Sequence, residues 1–303
     1  MPHRLSSVSP PPSAGTRKSP RRRAAMCAGV LVAAVTTLAA AGTLDTAFAA
    51  SGPASSGSDT ATTRLSAPAR SQDKARVTAA VLDLDDASRE PVVYGDDTPY
   101  DTASIVKVDI LAAALLQAQD AGRHLTEREQ GEAKVMIERS DNAAANALWR
   151  HIGRAPGLEK ANERLGLTRT KGGPGSKWGL TRTTASDQIR LLGAVFRTGP
   201  AAYTGPSVLS EASRAYIRSL MARIVDEQAW GVSAASGSDC ALKNGWLQRT
   251  TTGLWDVNSV GQITVDGHHY LVAALSDGTT SMKSGISLVE QASRAAVFDA
   301  TAS

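Results

Sequence analysis

Three short strings carry residue types that could do chemistry together. In chain order they are Ser104-Ile105-Val106-Lys107, Ser140-Asp141-Asn142 and Lys243-Asn244-Gly245. A serine hydroxyl is a weak nucleophile unless an adjacent base takes its proton. Ser-x-x-Lys at helical spacing puts hydroxyl and amine on one face. The amine is a base only when burial or a neighbouring cation lowers its pKa; a buried helix gives the first, and Lys243 across a cleft the second. Ser140 is expected to pass a proton to a leaving nitrogen, and Asn142 to hold a substrate amide and the Lys107 ammonium. Asp141 would brace the turn. Lys243 and Asn244 are expected to clamp an anion, with Gly245 letting a substrate backbone approach as an added strand. The N–H groups of Ser104 and Trp246 would form an oxyanion hole. Nucleophile, base, relay and clamp make up serine acyl transfer.

Each string is weak alone. Ser71-Gln72-Asp73-Lys74 matches the first, and Lys171-Gly172-Gly173, Lys177-Trp178-Gly179 and Lys283-Ser284-Gly285 match Lys-x-Gly. Ser140 or Asp141 could simply cap a helix. Context separates them. Thr102 can cap a helix that Gly122 stops, and Ile105, Val106, Val108, Ile110, Leu111, Leu115 and Leu116 make that helix apolar all round, hence buried. Ser104 then lies in its first turn, at the positive end of the dipole. Only Lys243 has strand patterns following it, as a cleft-edge strand requires.

The elements that must position these residues follow a simple order. Two strands (77–84 and 91–94) come first, then helical patterns at 102–121, 126–139, 141–151, 156–166, 184–197 and 210–225. Strands follow at 240–247, 254–265 and 269–275, with a turn at Asp266-Gly267, and a last helix spans 281–300. The fold class is α/β (α+β): one antiparallel sheet from N- and C-terminal strands, flanked by helices, with an inserted all-helical lobe. A cleft between the two parts is where a ligand is expected.

The remaining sequence sets bounds. Residues 1–49 read as a signal peptide: an arginine-ended polar start, an uncharged run from Ala24 to Leu44, and Ala47-Phe48-Ala49 as a cleavage site. A membrane anchor is the alternative for this run. Residues 50–75 read as a disordered linker, leaving 76–303 as the folded domain. The leader holds six of the 33 basic residues and one of the 29 acidic ones, so the net charge of +4 belongs to it. The mature chain, with 27 basic and 28 acidic residues, gives no argument for a nucleic-acid partner. Cys240 is the one mature cysteine and reads as a small apolar group, and the histidines show no metal-ligand spacing. No metal or cofactor is implied. The chain reads as a secreted monomer without a stable membrane anchor after cleavage.

In this order and context the three motifs resemble the class A serine β-lactamases and related penicillin-interacting enzymes, over about 76–303. The resemblance implies their fold and an acyl-enzyme on Ser104. It implies Lys107 as base, Ser140 as relay and Lys243 with Asn244 as carboxylate clamp. The partner would be a β-lactam or a peptidoglycan stem peptide. Three departures stand out. Asn244 replaces the family's threonine or serine, and the connection 108–139 is short, which suggests an opener cleft. The family's Glu-x-x-Leu-Asn loop, whose glutamate activates the deacylating water, is missing. Glu159 and Glu163 sit on the solvated face of a helix whose Leu158, Ala161 and Leu165 are buried, and the loop Lys171–Lys177 has no acid. Slow hydrolysis, a D-alanyl-D-alanine carboxypeptidase, or a sensor that acylates without turnover therefore remain open. A catalytically silent scaffold is a further alternative.

Overall fold

The computed structural model describes residues 75–86, 90–197 and 208–302. The signal-peptide reading (1–49), the Ser71–Lys74 string and all but the last residue of the linker reading (50–75) lie outside the described residues.

Alternating residues build the sheet. On β1 (Arg76–Asp83), Ala80 and Leu82 enter one apolar cluster while Ala79 and Val81 enter another on the opposite face. β7 (His268–Thr279) does the same, with Leu271, Ala273 and Leu275 on one side and Tyr270 and Val272 on the other. A period of two with both faces apolar requires cover on both sides. With β2 (Val92–Tyr94), β5 (Cys240–Gln248) and β6 (Trp255–Val265) these strands form a five-stranded antiparallel sheet, ordered β2-β1-β7-β6-β5. The expected sheet of N- and C-terminal strands is present. Asp266 (φ 49°) and Gly267 (φ 85°) turn the chain from β6 to β7, the positive φ pair of a twist-matched hairpin. His269, next to that turn, pairs with Asp85 at 3.1 Å and stays exposed.

One face of the sheet carries α7 (Met282–Thr301), and the other carries the helical lobe. The lobe comprises α1 (Val106–Asp120), α2 (Glu127–Glu138), α3 (Asn142–His151), α4 (Arg154–Leu165), α5 (Ala185–Phe196) and α6 (Glu211–Met221). α1 is buried along nearly its whole length, as its all-round apolar pattern predicts. It ends at Gly122 (φ 62°), a left-handed stop only glycine adopts easily. α6 is shorter than its periodicity suggested; Asp226–Gln228 forms a separate 3-10 turn beyond it.

A small second sheet was not legible in the sequence. β3 (Tyr100–Asp101) pairs with β4 (Arg182–Thr183), tying the approach to α1 to the end of the 171–180 loop. No described helix is long and apolar enough to cross a membrane.

Candidate active site

α1 is entered through a 3-10 turn, Ala103–Ile105, and Thr102 does not cap it: its side chain makes no cap bond and its Oγ1 is buried without a partner. Tertiary contacts fix the turn instead. Thr102 N donates to Thr181 O (2.8 Å), and the fully buried Asn258 of β6 donates from Nδ2 to Asp101 O (2.9 Å) and Thr102 O (3.1 Å). Ala103 is held at φ 46°, a strained value for a non-glycine residue that persists only when the surroundings enforce it. Ser104 follows, half-buried, and among the described residues its hydroxyl accepts and donates no hydrogen bond.

Gly245 explains how β5 meets this turn. A Cβ there would lie 2.7 Å from Ser104 N, 2.7 Å from Thr102 O and 2.9 Å from Ile105 N. The nucleophile's own backbone thus already requires glycine here, a reason separate from the expected approach of a substrate strand. The Ser104 N–H, one half of the expected oxyanion pair, is part of this contact.

Lys107 stands within α1, 0% exposed. Its Nζ donates to Ser140 O (2.6 Å), Ser140 Oγ (3.0 Å) and Asn142 Oδ1 (2.8 Å). Three acceptors suit an ammonium, while burial opposes the charge. Burial dominates and lowers the pKa from 10.5 to about 7, with Asp141 pulling weakly upward. Lys243, also 0% exposed, donates to the same Ser140 Oγ (2.9 Å) and to Asn244 O (2.9 Å). Burial first, and the Lys107 charge second, hold it well below its ordinary value.

Two lysines on one hydroxyl occupy both lone pairs of Ser140 Oγ, which leaves its own O–H free to donate outward. The loop between α2 and α3 makes this possible. Ser140 adopts φ 57°, and Asp141 caps α3 by accepting from Ala144 N (2.7 Å), so Asp141 braces the turn as read from the sequence.

Asn244 is placed differently from expectation. Strand alternation puts Lys243 and Gly245 toward the turn, and Asn244 and Trp246 on the other face. Asn244 is 1% exposed and donates to Gln228 O (2.7 Å) and Trp230 O (2.9 Å). Both amide hydrogens are engaged, so a carboxylate clamp there would need those bonds broken. Trp246 packs its ring against Trp230, centroids 5.9 Å apart.

The most informative residue that sequence reasoning missed is Trp178, inside a string set aside as a Lys-x-Gly decoy. Its ring lies 4.8 Å from Lys107 Nζ, a cation–π contact, and its Nε1 donates to Asn146 Oδ1 (2.8 Å). Trp149 of α3 answers by donating from Nε1 to Gly175 O (2.8 Å). The loop is thus latched to α3 by two indoles. Gly173 lets it close, since a Cβ there would lie 2.1 Å from Lys177 O. Asp187 anchors its base by accepting from Arg169 N and Thr170 Oγ1, both at 2.8 Å. Among the described residues no carboxylate hydrogen-bonds Lys107, Ser140 or Lys243. Leu158, Ala161 and Leu165 are buried, with Glu163 exposed and Glu159 half-exposed on α4.

A cavity of about 870 Å³ opens beside this group, with Asn142 and Trp178 in its lining. Asp83, Asp85 and His268 bring ligand atoms within 4.8 Å of one another at the far end of β1; the sequence spacing did not show this cluster.

Comparison with known proteins places this architecture. A comparison with functionally curated proteins finds no match. Solved structures of low identity share the fold. The TLA-1 extended-spectrum β-lactamase superposes with a TM-score of 0.64 at 17% identity, over 77% of this chain and 95% of that one. A class A β-lactamase representative from Bacteroides cellulosilyticus gives 0.63 at 15%, over 77% and 94%. A mutant of PBP-A, solved as an acyl-enzyme complex with penicillin G, gives 0.61 at 23%, over 76% and 91%. The model of the β-lactamase enzyme family matches residues 130–300, more than half the sequence and inclusive of two of the three motifs. This chain belongs to the β-lactamase enzyme family.

Proposed function

We propose that the protein is an exported serine acyl-transfer enzyme in which a β-lactam or D-alanyl amide acylates Ser104 and the acyl group leaves slowly. The observation that carries the reading is the convergence of Lys107 and Lys243 on Ser140 Oγ, at 3.0 and 2.9 Å. Neutral Lys107 takes the proton as Ser104 Oγ forms its bond to the carbonyl carbon. Ser140 then delivers a proton to the nitrogen as the C–N bond breaks, and recovers one from its lysine partners. Lys243 supplies the positive field for the substrate carboxylate. Asn244 takes no part in that clamp and instead ties β5 to the Gln228–Trp230 segment.

Slow release is supported by Trp178. Where the resemblance leads one to look for a carboxylate that activates water, the Lys107 ammonium is faced by an indole. An aromatic ring has no acceptor strong enough to serve as a general base and excludes water from the surface it covers. The same feature favours the sensor reading over a fast antibiotic-destroying enzyme.

Intact-mass spectrometry of the mature protein incubated with benzylpenicillin tests this. The expected result is a one-to-one adduct that persists for many minutes and is absent from Ser104→Ala. Rapid antibiotic loss without an accumulating adduct would refute slow release. No adduct, together with no Ser104-dependent cleavage of a D-alanyl-D-alanine peptide, would refute the catalytic reading. Export is checked by finding the leader-free chain outside the producing cell.

A further inference from the structure

The cavity beside the nucleophile has a charge distribution the acyl-transfer chemistry does not use. Its volume, about 870 Å³, suits a ligand portion of drug-like size. It begins at Asn142 and Trp178, which both touch Lys107. Its wall lies next to the nucleophile's turn: a methyl added at Gly179 would sit 3.7 Å from Ala103 Cα, in ordinary van der Waals contact. From there it runs along the end of β5, past Leu247, toward Thr251.

Apolar surface comes from Trp149, Leu180 and Leu247, while Arg150, Arg154, Lys177 and Arg249 supply cations, and no aspartate or glutamate is in the lining. Arg249 is paired with Asp101. Arg150, Arg154 and Lys177 are exposed and form no ion pair among the described residues. They come from three places, the end of α3, the start of α4 and the 171–180 loop, so no helical pattern accounts for their meeting. Unbalanced like charges around a concavity concentrate a positive potential inside it.

We propose that this cavity receives the acyl-side extension of the donor and selects donors that carry a carboxylate there, with Arg150, Arg154 and Lys177 as the specificity-determining residues. The inference rests on the acyl-enzyme reading above. A carboxylate at that position could belong to a β-lactam side chain or to a stem peptide, and both present the same chemistry to the three cations.

The test compares ligands that differ by that carboxylate alone. Benzylpenicillin and α-carboxybenzylpenicillin form one pair, read by the second-order rate of adduct formation. D-Alanyl-D-alanine peptides capped with acetyl or succinyl form the other, read by release of D-alanine. The carboxylated member is expected to react about tenfold faster, the combined effect of a few exposed ion pairs. That ratio should shrink in 0.5 M NaCl, as screened charges require. It should approach one in the variant R150Q/R154Q/K177Q, whose folding is verified by circular dichroism. Preference in the peptide pair alone identifies a stem peptide as the source, and preference in the penicillin pair alone a β-lactam; either supports the proposal. A ratio near one in both pairs, or one unchanged by salt and by the triple variant, overturns it while leaving the acyl-enzyme intact. Failure of every ligand to modify Ser104 overturns the underlying reading instead.

Discussion

At the scale of single residues the site turns on two buried lysines sharing one hydroxyl. Displacing Lys107 from 10.5 to about 7 corresponds to about 5 kcal/mol against its charged form. A base with a lowered pKa is active above that pKa. Acylation of Ser104 is therefore expected to rise about tenfold per pH unit below pH 7 and to level off above it. Stopped-flow acylation across pH 5.5–9 reads this directly, and a flat profile would remove Lys107 from the role of base. Trp178 acts on the same lysine in two opposed ways: its π-face favours the ammonium by about 0.5–2 kcal/mol, while the water it excludes disfavours it. Burial is what lowers the Lys107 pKa, and Trp178 is part of what covers it, so Trp178→Ala is expected to move the acylation midpoint toward alkaline pH and to shorten the life of the adduct. A midpoint that moves down would show the cation–π contact to dominate.

At the scale of elements, the closeness of β5 to the turn before α1 decides whether the nucleophile is in place. Gly245→Ala puts a methyl into the Ser104 backbone, where neither strand nor helix can yield. Misplacement on the order of 1 Å lowers reactivity about 100-fold, and that loss of acylation rate is the expected outcome, with the far-ultraviolet circular dichroism unchanged. Asn244 belongs to the same strand but to another task. Asn244→Ala leaves the Gln228 and Trp230 carbonyls without donors. It is expected to destabilise the protein by about 1–3 kcal/mol, measured from the urea midpoint. A stable variant that has lost acylation would return Asn244 to the catalytic side.

At the scale of the whole molecule, the core contains a charge-capable group that the chemistry does not use. Asp109 of α1 is fully buried, and burial, with Asp187 adding to it, raises its pKa to about 8. Asn162 of α4, its amide nitrogen turned toward the carboxyl, donates at 2.9 Å. The folded state thus keeps a proton that the unfolded chain releases near pH 4. Stability from this group is present at low pH and falls as pH rises toward 8. Thermal unfolding of Asp109→Asn and the parent at pH 5 and pH 7 checks this. The parent is expected to lose more of its Tm than the variant across that interval, and equal losses would show the carboxyl to be ionised in the fold.

The sequence by itself determined the parts that rest on local rules. Period-two strands, the all-apolar α1, the Gly122 stop and the Asp266-Gly267 turn follow from backbone preference and burial, and each formed within a few residues of where the pattern placed it. Ser-x-x-Lys spacing put both groups at the start of the same helix, but the turn that carries Ser104 is a 3-10 turn held by β6. What only the tertiary structure decided depends on contacts between distant segments. Nothing near Asn258 in the chain marks it as the residue that holds the carbonyls of Asp101 and Thr102. Nothing in Lys177-Trp178-Gly179 marks an indole that will cover Lys107, because that position depends on a loop latched to α3 from both sides. Asn244 resembled a clamp by its place in a motif, and strand alternation turned it to the other face. Local sequence sets which groups are available and on which element; the folded chain sets which of them share one hydroxyl and which meet water.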